Sequence, residues 1–250
     1  MTIDIADGIW SIAINRPRAR NALNGAAMQQ LKSAFRAFDN EDSASVAVLS
    51  GRGGSFCAGA DLKEMADAAN YEAWAGDLHG MLGAPLSKPL IGAVEGHAVA
   101  GGLGVALYCD VRIASSSAVF GVFCRRFGVP MSDGSTIRLP RLIGESRALD
   151  MMLSGRAVQA EEAQNIGLVA SVVPEGQAHS AAMEYARRLT VFPQLALRSD
   201  RQSLLEQSGH DLRTALRNET RLAATAKAQQ AQSGAQAFAA GIGRHGQNSD

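Results

Sequence analysis

The hydrophobic pattern at the start of the chain changes from strand-like to helix-like and back. Two β-rich runs, residues 3–5 and 9–14, flank the dipeptide Asp7-Gly8, and this arrangement predicts a β-hairpin. Asn24 is a suitable N-cap for a following helix. The apolar residues of that helix share one face: Met28, Leu31, Phe35 and Phe38. The apolar run over residues 45–50 then predicts a buried strand.

Farther along the chain, short apolar runs continue to alternate with helical periods, which indicates an α/β fold. Strands are predicted over residues 88–95, 111–114 and 118–122, and helices over residues 101–109, 134–143 and 146–153. From residue 177 the pattern is only helical, with amphipathic segments over residues 177–190, 194–207 and 210–228. We therefore predict a core domain over residues 1–192 and a C-terminal helical region over residues 193–250.

Composition restricts the classes of function. The 250 residues are 46% hydrophobic, and 24 Lys plus Arg balance 24 Asp plus Glu, so a globular protein is expected with no net field for nucleic acid or an anionic membrane. The start of the chain lacks a charged-then-apolar leader, and no segment reaches the roughly 18 apolar residues of a membrane span. We expect a soluble, cytoplasmic protein without nucleic-acid or membrane partners.

The cysteines and histidines do not form a recognisable metal or disulfide pattern. The three cysteines, Cys57, Cys109 and Cys124, are odd in number and lack paired spacing, which argues against a disulfide framework or a zinc site. The five histidines form no HExxH group, and no GxxxxGK[ST] loop occurs. We expect no metal and no nucleoside triphosphate chemistry.

Two glycine-rich stretches carry the candidate chemistry. Residues 96–104 read Gly-His-Ala-Val-Ala-Gly-Gly-Leu-Gly and open a predicted helix, whereas residues 51–65 follow a predicted strand. Because glycine has no side chain, its main-chain N–H group can closely approach a ligand oxygen. A helix N-terminus also favours negative charge. Each stretch is suited to donate one N–H group to the same oxygen. Close packing of small residues at a helix start is the alternative interpretation.

These stretches resemble the crotonase, or enoyl-CoA hydratase/isomerase, superfamily. Residues 56–62, Phe-Cys-Ala-Gly-Ala-Asp-Leu, match its first oxyanion loop, and residues 96–102 match its second. Further matches lie at residues 15–24, 138–144, 153–156 and 166–169. The resemblance implies a spiral of strand-strand-helix turns, followed by a C-terminal helical region that forms a homotrimer or a hexamer of two trimers.

The resemblance also implies an acyl-CoA enzyme that stabilises a thioester enolate in an oxyanion hole. By motif position, the two donors are the backbone N–H groups of Ala60 and Gly101. Coenzyme A would enter as part of the substrate, with no separate cofactor. The residues implied to contact it are Arg20, Ala22, Leu23, Ala58, Ala60, Asp61, Leu62 and Lys63. For Arg20, an ordinary solvated arginine is the alternative.

The sequence departs from the hydratases of the superfamily at both catalytic glutamates. Those enzymes carry one glutamate six residues before the Asp of a Cys-Asp pair and a second one fourteen residues after it. Counted from Asp110, these positions hold Gly104 and Cys124. Two carboxylates that share a water molecule are the arrangement that adds water to the double bond. The resemblance therefore does not by itself imply hydratase activity.

Two residues are candidates for a catalytic role in the absence of the two glutamates. Asp133, three residues before Thr136, resembles in position a catalytic aspartate of dienoyl-CoA isomerases, and the alternative is an N-cap of the helix over residues 134–143. Cys124 would be a nucleophile only with a lowered pKa, and no histidine partner is evident; a small buried thiol is its alternative.

Three functions remain open from sequence. The main expectation is an acyl-CoA enzyme of the hydratase/isomerase family. A second is an enoyl- or dienoyl-CoA isomerase, or an acyl-CoA hydrolase, that uses Asp133. A third is a non-catalytic acyl-CoA binding protein, because Gly104 and Cys124 replace both glutamates. The stretch over residues 66–84, with Tyr71 and Trp74, is expected to cover the acyl pocket.

Overall fold

The computed structural model describes residues 1–67 and 80–242 of the chain. The chain divides into two compact units, Met1–Ala186 and Arg187–Asp250. This division lies earlier than the one that the sequence predicted after residue 192. Most of the predicted pocket cover over residues 66–84, including Tyr71 and Trp74, lies outside the described residues.

The strands form two sheets within the first unit. The strands are β1 (Thr2–Ala6), β2 (Ile9–Ile14), β3 (Val46–Gly51), β4 (Leu90–Val94), β5 (His97–Val99), β6 (Val111–Ser115), β7 (Val119–Gly121), β8 (Val158–Gln159) and β9 (Ser171–Val173). The larger sheet has the order β1-β2-β3-β4-β6-β9, and the smaller has the order β5-β7-β8. Among the described strands of the larger sheet, β1 and β2 pair antiparallel, and the other neighbouring pairs are parallel. Parallel neighbours require crossover connections, and helices supply several of them.

The helices follow the strands in the alternating order expected of an α/β chain. They are α1 (Gly25–Asn40), α2 (Leu62–Met65), α3 (Gly101–Tyr108), α4 (Ser135–Ile143), α5 (Glu145–Ser154), α6 (Ala160–Asn165), α7 (Ala178–Thr190), α8 (Gln194–Glu206), α9 (Leu212–Ala226) and α10 (Gln232–Ala239). A 3₁₀ helix over Phe123–Phe127 and a π-helical turn over Lys227–Ala231 lie among the same described residues.

The hairpin and the first helix confirm the sequence prediction, because local chemistry determines both. Asp7 and Gly8 have φ values of 53° and 74°, as a two-residue turn between twisted strands requires. The side chain of Asn24 accepts a hydrogen bond from Ala27 N at 3.1 Å and so caps α1. The four apolar residues predicted to share a helix face are all buried: Met28, Leu31, Phe35 and Phe38.

The core lies between α1, the larger sheet and α3. Its fully buried side chains include Phe38, Leu49, Phe56 and Leu103. The helix α3 is apolar on all sides, and seven of its eight residues are buried, so it runs through the interior rather than along the surface. The N-terminus of α3 is thereby held against the loop that follows β3.

The second unit contains the helices α8, α9 and α10. Asp211 caps α9 by accepting from Thr214 N at 3.0 Å, and the Asn218 amide donates to Glu206 Oε2 at 2.7 Å, which joins α9 to α8. Several large apolar side chains of this unit are exposed: Phe192, Leu195, Leu204, Leu212, Leu216 and Phe238. Among the helices of residues 1–67 and 80–242, none has the length and apolar character to cross a membrane.

Candidate active site

The two glycine-rich stretches lie side by side because their backbones pair. Cys57 N donates to His97 O at 2.8 Å, and Val99 N donates to Cys57 O at 3.1 Å. These bonds form a parallel bridge between Cys57 and Ala98. The loop after β3 is therefore fixed in register against the strand that leads into α3.

Two glycines allow this close approach. A Cβ atom added to Gly102 would lie 2.0 Å from the carbonyl oxygen of Cys57, and one added to Gly59 would lie 2.7 Å from Gly101 N. Gly59 also has φ +94°, a conformation that residues with a Cβ rarely adopt. The glycines thus bring the backbone at residue 60 close to the N-terminus of α3.

The backbone N–H groups of Ala60 and Gly101 find no acceptor among the described residues. Leu23 pairs with the backbone on either side of Ala60, because Leu23 N donates to Gly59 O at 2.7 Å and Asp61 N donates to Leu23 O at 2.9 Å. The N–H group of Ala60 is left outside this bridge. Gly101 is the first residue of α3, and the first N–H groups of a helix have no partner within it. Both groups are therefore available to a ligand.

Ala60 and Gly101 both line one cavity of about 100 Å³. Its wall is largely apolar and includes the side chains of Leu62, Met65, Phe123, Val129 and Met131. Asp133 supplies the one carboxylate among the described residues that line it. A largely apolar cavity with a few convergent polar groups is the usual form of a small-molecule site.

Asp133 is buried, with an exposed fraction of 3%. Its Oδ1 accepts a hydrogen bond from Ser135 N at 2.9 Å, and Arg138 Nη1 donates to its carbonyl oxygen at 3.0 Å. The N-cap residue of α4 is Gly134, so Asp133 lies one residue before the cap position. Within the described chain, Oδ2 receives no hydrogen bond. One carboxylate oxygen is thus anchored, and the other is available to a ligand.

Burial raises the pKa of Asp133, whereas hydrogen bonding from Ser135 and the positive charge of Arg138 partly oppose this rise. Desolvation disfavours the ionised form of a carboxyl group. The carboxylate is consequently a stronger base than an exposed aspartate, and its acid form persists to higher pH. Both properties suit a group that accepts a proton and returns it.

We expect Asp133→Asn to be more stable than the wild type at neutral pH. Because the pKa of Asp133 is higher in the folded protein than in the unfolded chain, the wild type loses stability as the pH rises from about 3.9 through the raised value. The neutral amide does not titrate. A tenfold difference in proton affinity between the folded and unfolded states corresponds to about 1.4 kcal/mol. About 1 kcal/mol moves Tm by about 2–4 °C in a chain of this size.

Thermal melts between pH 4 and 8 measure this effect. The Tm difference between Asp133→Asn and the wild type should increase with pH across the window and then become constant. A variant that melts below the wild type at every pH would instead assign the carboxylate a helix-capping role alone.

Cys124 lines the same cavity but is a protected thiol. Its exposed fraction is 6%, and its Sγ lies 3.3 Å from Met131 Sδ. Burial raises the pKa of Cys124, and it raises the pKa of Cys57 and of Cys109 to about 12. A thiol with a raised pKa is mostly protonated at neutral pH and is a poor nucleophile. This environment favours the buried-thiol interpretation over a catalytic cysteine.

Cys124→Ser is accordingly expected to retain turnover within a few-fold of the wild type, because the thiol is not required as a thiolate. The wild-type thiols should also react with iodoacetamide more slowly than free cysteine at pH 7. Steady-state kinetics and mass spectrometry of the alkylated protein measure these effects. If the Cys124→Ser variant folds but is inactive, the thiol and not Asp133 is the catalytic group.

The residues implied to contact coenzyme A lie on two adjoining segments. Ala58 N donates to Arg20 O at 3.1 Å, which places residues 20–23 beside residues 58–63. The side chains of Arg20 and Lys63 are exposed, whereas Ala22 and Leu23 are buried. Asp61 accepts from Lys63 N at 3.2 Å and so caps α2.

Two residues that support these segments were not singled out from sequence. Arg16 forms an ion pair with Asp61 at 3.0 Å. Asn21 is fully buried; its side chain accepts from Arg16 N at 2.8 Å and donates to Arg52 O at 2.9 Å and to Ser55 O. Both lie inside the matched stretch over residues 15–24, so the motif was a signal for them. Their partners lie far along the chain, and the sequence pattern does not identify them.

Residues of metal-binding type do not cluster in the part of the chain that the structure describes. No group of three or more His, Cys, Asp or Glu residues there is arranged to hold a metal ion. Besides the backbone and apolar side chains, the described residues that line the cavity include Asp133, Cys124 and Ser132, which carry a carboxylate, a thiol and a hydroxyl group.

Comparison with known proteins gives a consistent result. The sequence model described as enoyl-CoA hydratase/isomerase matches residues 4–241. The chain is 37% identical over 202 residues to enoyl-CoA hydratase EchA19 of Mycobacterium tuberculosis, covering 78% of this chain and 76% of the relative. It is 38% identical over 214 residues to 2,3-dehydroadipyl-CoA hydratase of Escherichia coli, covering 84% of each.

Solved structures agree with the sequence matches. The crystal structure of enoyl-CoA hydratase EchA1 from Mycobacterium marinum superposes with a TM-score of 0.90 at 34% identity, covering 96% of this chain and 95% of that chain. An enoyl-CoA hydratase from M. tuberculosis H37Rv gives the same TM-score at 35% identity and the same coverage. The α/β crotonase-like fold and the superfamily resemblance are thereby confirmed. The chain belongs to the enoyl-CoA hydratase/isomerase family.

Proposed function

We propose that the protein binds an acyl-CoA thioester with the carbonyl oxygen between the N–H groups of Ala60 and Gly101, and that Asp133 transfers a proton on the acyl chain. The observation that carries this proposal is that, in the described chain, one cavity is lined by two residues with unpaired N–H groups and by a single residue with a buried carboxylate. Removal of an α-proton makes the thioester an enolate, whose negative charge develops on that oxygen. A preorganised N–H donor stabilises such charge by about 3–4 kcal/mol.

The reaction that this arrangement supports best is double-bond isomerisation of an enoyl-CoA. Asp133 takes a proton from the carbon between the thioester and the double bond. The electron pair moves into a dienolate, and the same carboxyl group then returns a proton to the far end of the former double bond. The product is the conjugated 2-enoyl-CoA. One carboxylate suffices, since no water is added, and residue 124 is a cysteine rather than a second carboxylate.

Hydration is the second candidate because relatives at 37% and 38% identity are named as hydratases. In this reaction Asp133 would activate the water molecule and supply the proton to the α-carbon. Two alternatives have less support. A hydrolase would need a water directed at the thioester carbon, and a binding protein without chemistry has no use for a buried carboxylate whose ionisation lowers stability.

The experiment is turnover of three acyl-CoA classes: hex-3-enoyl-CoA, hex-2-enoyl-CoA and hexanoyl-CoA. Liquid chromatography with mass spectrometry separates the outcomes. We expect hex-3-enoyl-CoA to become hex-2-enoyl-CoA at unchanged mass, faster than hex-2-enoyl-CoA gains one water. Faster gain of water would favour the hydratase. Release of free coenzyme A would identify a hydrolase, and an unchanged panel with measurable binding would identify a binding protein.

We also propose that coenzyme A contacts the segments over residues 20–23 and 58–63, with its phosphates near Arg20 and Lys63, whose exposed cationic side chains suit that charge. The exposed apolar side chains of the second unit suit self-association, and the trimer of the family is the proposed assembly. Light scattering after size exclusion tests this assembly. A monomer at micromolar concentration would contradict it.

A further inference from the structure

We infer that Gly104 positions the Asp133 carboxylate. The carboxylate occupies the space that a side chain at residue 104 would fill. The catalytic meaning of this inference rests on the proposed function, whereas its geometry does not. Gly104 is buried in the middle of α3. Glycine inside a helix is less stable than alanine by about 1 kcal/mol, so helix propensity does not explain it.

The contact geometry explains the glycine. A Cβ atom built on Gly104 would lie 2.4 Å from Asp133 Cγ, 2.4 Å from Oδ2 and 2.8 Å from Cβ. Carbon atoms normally pack at about 3.5–4.0 Å. The carboxylate has no easy retreat, because Ser135 N holds Oδ1 and Arg138 holds the backbone carbonyl. A side chain at residue 104 therefore requires either the anchored carboxylate or the backbone of α3 to move.

The same distances match the reach of a glutamate at residue 104. The Cδ atom of a glutamate is two C–C bonds from its Cβ, about 2.5 Å. Asp133 Cγ lies 2.4 Å from the Cβ position of residue 104. The Asp133 carboxylate and a side chain at residue 104 therefore compete for the same space.

This geometry changes the interpretation of Gly104. From the sequence alone, Gly104 is a replacement of the first hydratase glutamate. In the folded protein the carboxylate is supplied by Asp133, and Gly104 is the counterpart that makes room for it. Of the two hydratase glutamate positions, only residue 124 then lacks a carboxylate in the described site.

A double-mutant cycle in thermal stability tests the geometry without any activity. The variants are Gly104→Ala, Asp133→Gly and the two combined; glycine is used at residue 133 because even the Asp133 Cβ lies 2.8 Å from the added atom. Gly104→Ala should lower Tm by several degrees in the wild type. In the Asp133→Gly background it should leave Tm unchanged or raise it, through helix propensity.

Equal losses of Tm in both backgrounds would overturn the inference. If Gly104→Ala alone yields no folded protein, recovery of folding in the combined variant supports the inference, and failure of both overturns it.

A carboxylate exchange tests the positioning role. With hex-3-enoyl-CoA as the probe, Gly104→Glu/Asp133→Gly should isomerise at least tenfold faster than Asp133→Gly. The matched control is Gly104→Gln/Asp133→Gly, which has the same shape without the charge and should regain nothing. Equal rates for the glutamate and glutamine variants would overturn the positioning role. A wild type that does not isomerise overturns the proposed function, and the stability cycle still decides the geometry.

Discussion

Asp133→Asn is expected to lower isomerisation of hex-3-enoyl-CoA by roughly 10²–10⁴-fold, the usual contribution of a positioned acid–base group. The carboxylate lines the cavity with one oxygen anchored by Ser135 N and the other without a donor in the described chain. Asparagine retains the shape and an oxygen for the Ser135 bond, but it has no basic lone pair of comparable strength. The loss should fall on kcat, because Asp133 exchanges a proton with the acyl chain and does not hold coenzyme A.

The controls for this prediction separate chemistry from folding. Binding of free coenzyme A, measured by calorimetry, should be unchanged in Asp133→Asn. Cys124→Ser, at another position of the cavity wall, should keep its turnover. If Asp133→Asn turns over normally while Cys124→Ser does not, the assignment of the carboxylate is wrong.

Gly101→Pro is expected to reduce turnover by roughly 10²–10³-fold, as loss of one oxyanion-hole donor does elsewhere. Proline removes the N–H group at the first position of α3, where Gly101 lies. The lost donor acts on the charge that develops on the thioester oxygen, so binding of an enolate analogue should weaken more than binding of free coenzyme A.

Gly101→Ala is the matched variant, because it adds a side chain and keeps the N–H group. It should bind the enolate analogue better than Gly101→Pro does. If proline weakens binding of the enolate analogue and of free coenzyme A equally, the ring distorts the site and the Gly101 N–H group is not a donor to the thioester oxygen.

The sequence predicts those parts of the fold that local chemistry determines. The turn at Asp7-Gly8 and the Asn24 cap are read directly from residue type, and both are present. The strands β5, β8 and β9 were not predicted. They have two or three residues each, which is too few for a hydrophobic period, and their pairing partners lie elsewhere in the chain.

The candidate site shows a similar division. Motif resemblance placed Ala60 and Gly101 in facing loops, because the glycines that permit the contact are part of the motifs. The relation between Gly104 and Asp133 is different in kind. It depends on a distance across the fold, and each residue alone has an ordinary interpretation, as a lost glutamate and as a helix cap. Only the packed structure indicates that one residue occupies the space of the other.

A crystal structure with a bound, unreactive acyl-CoA thioester tests the central claim most directly. The proposed function predicts the thioester oxygen at about 2.9 Å from both Ala60 N and Gly101 N, with Asp133 Oδ2 facing the acyl carbons next to the thioester. A thioester oxygen bound away from these two N–H groups, or acyl carbons out of reach of Oδ2, would contradict it.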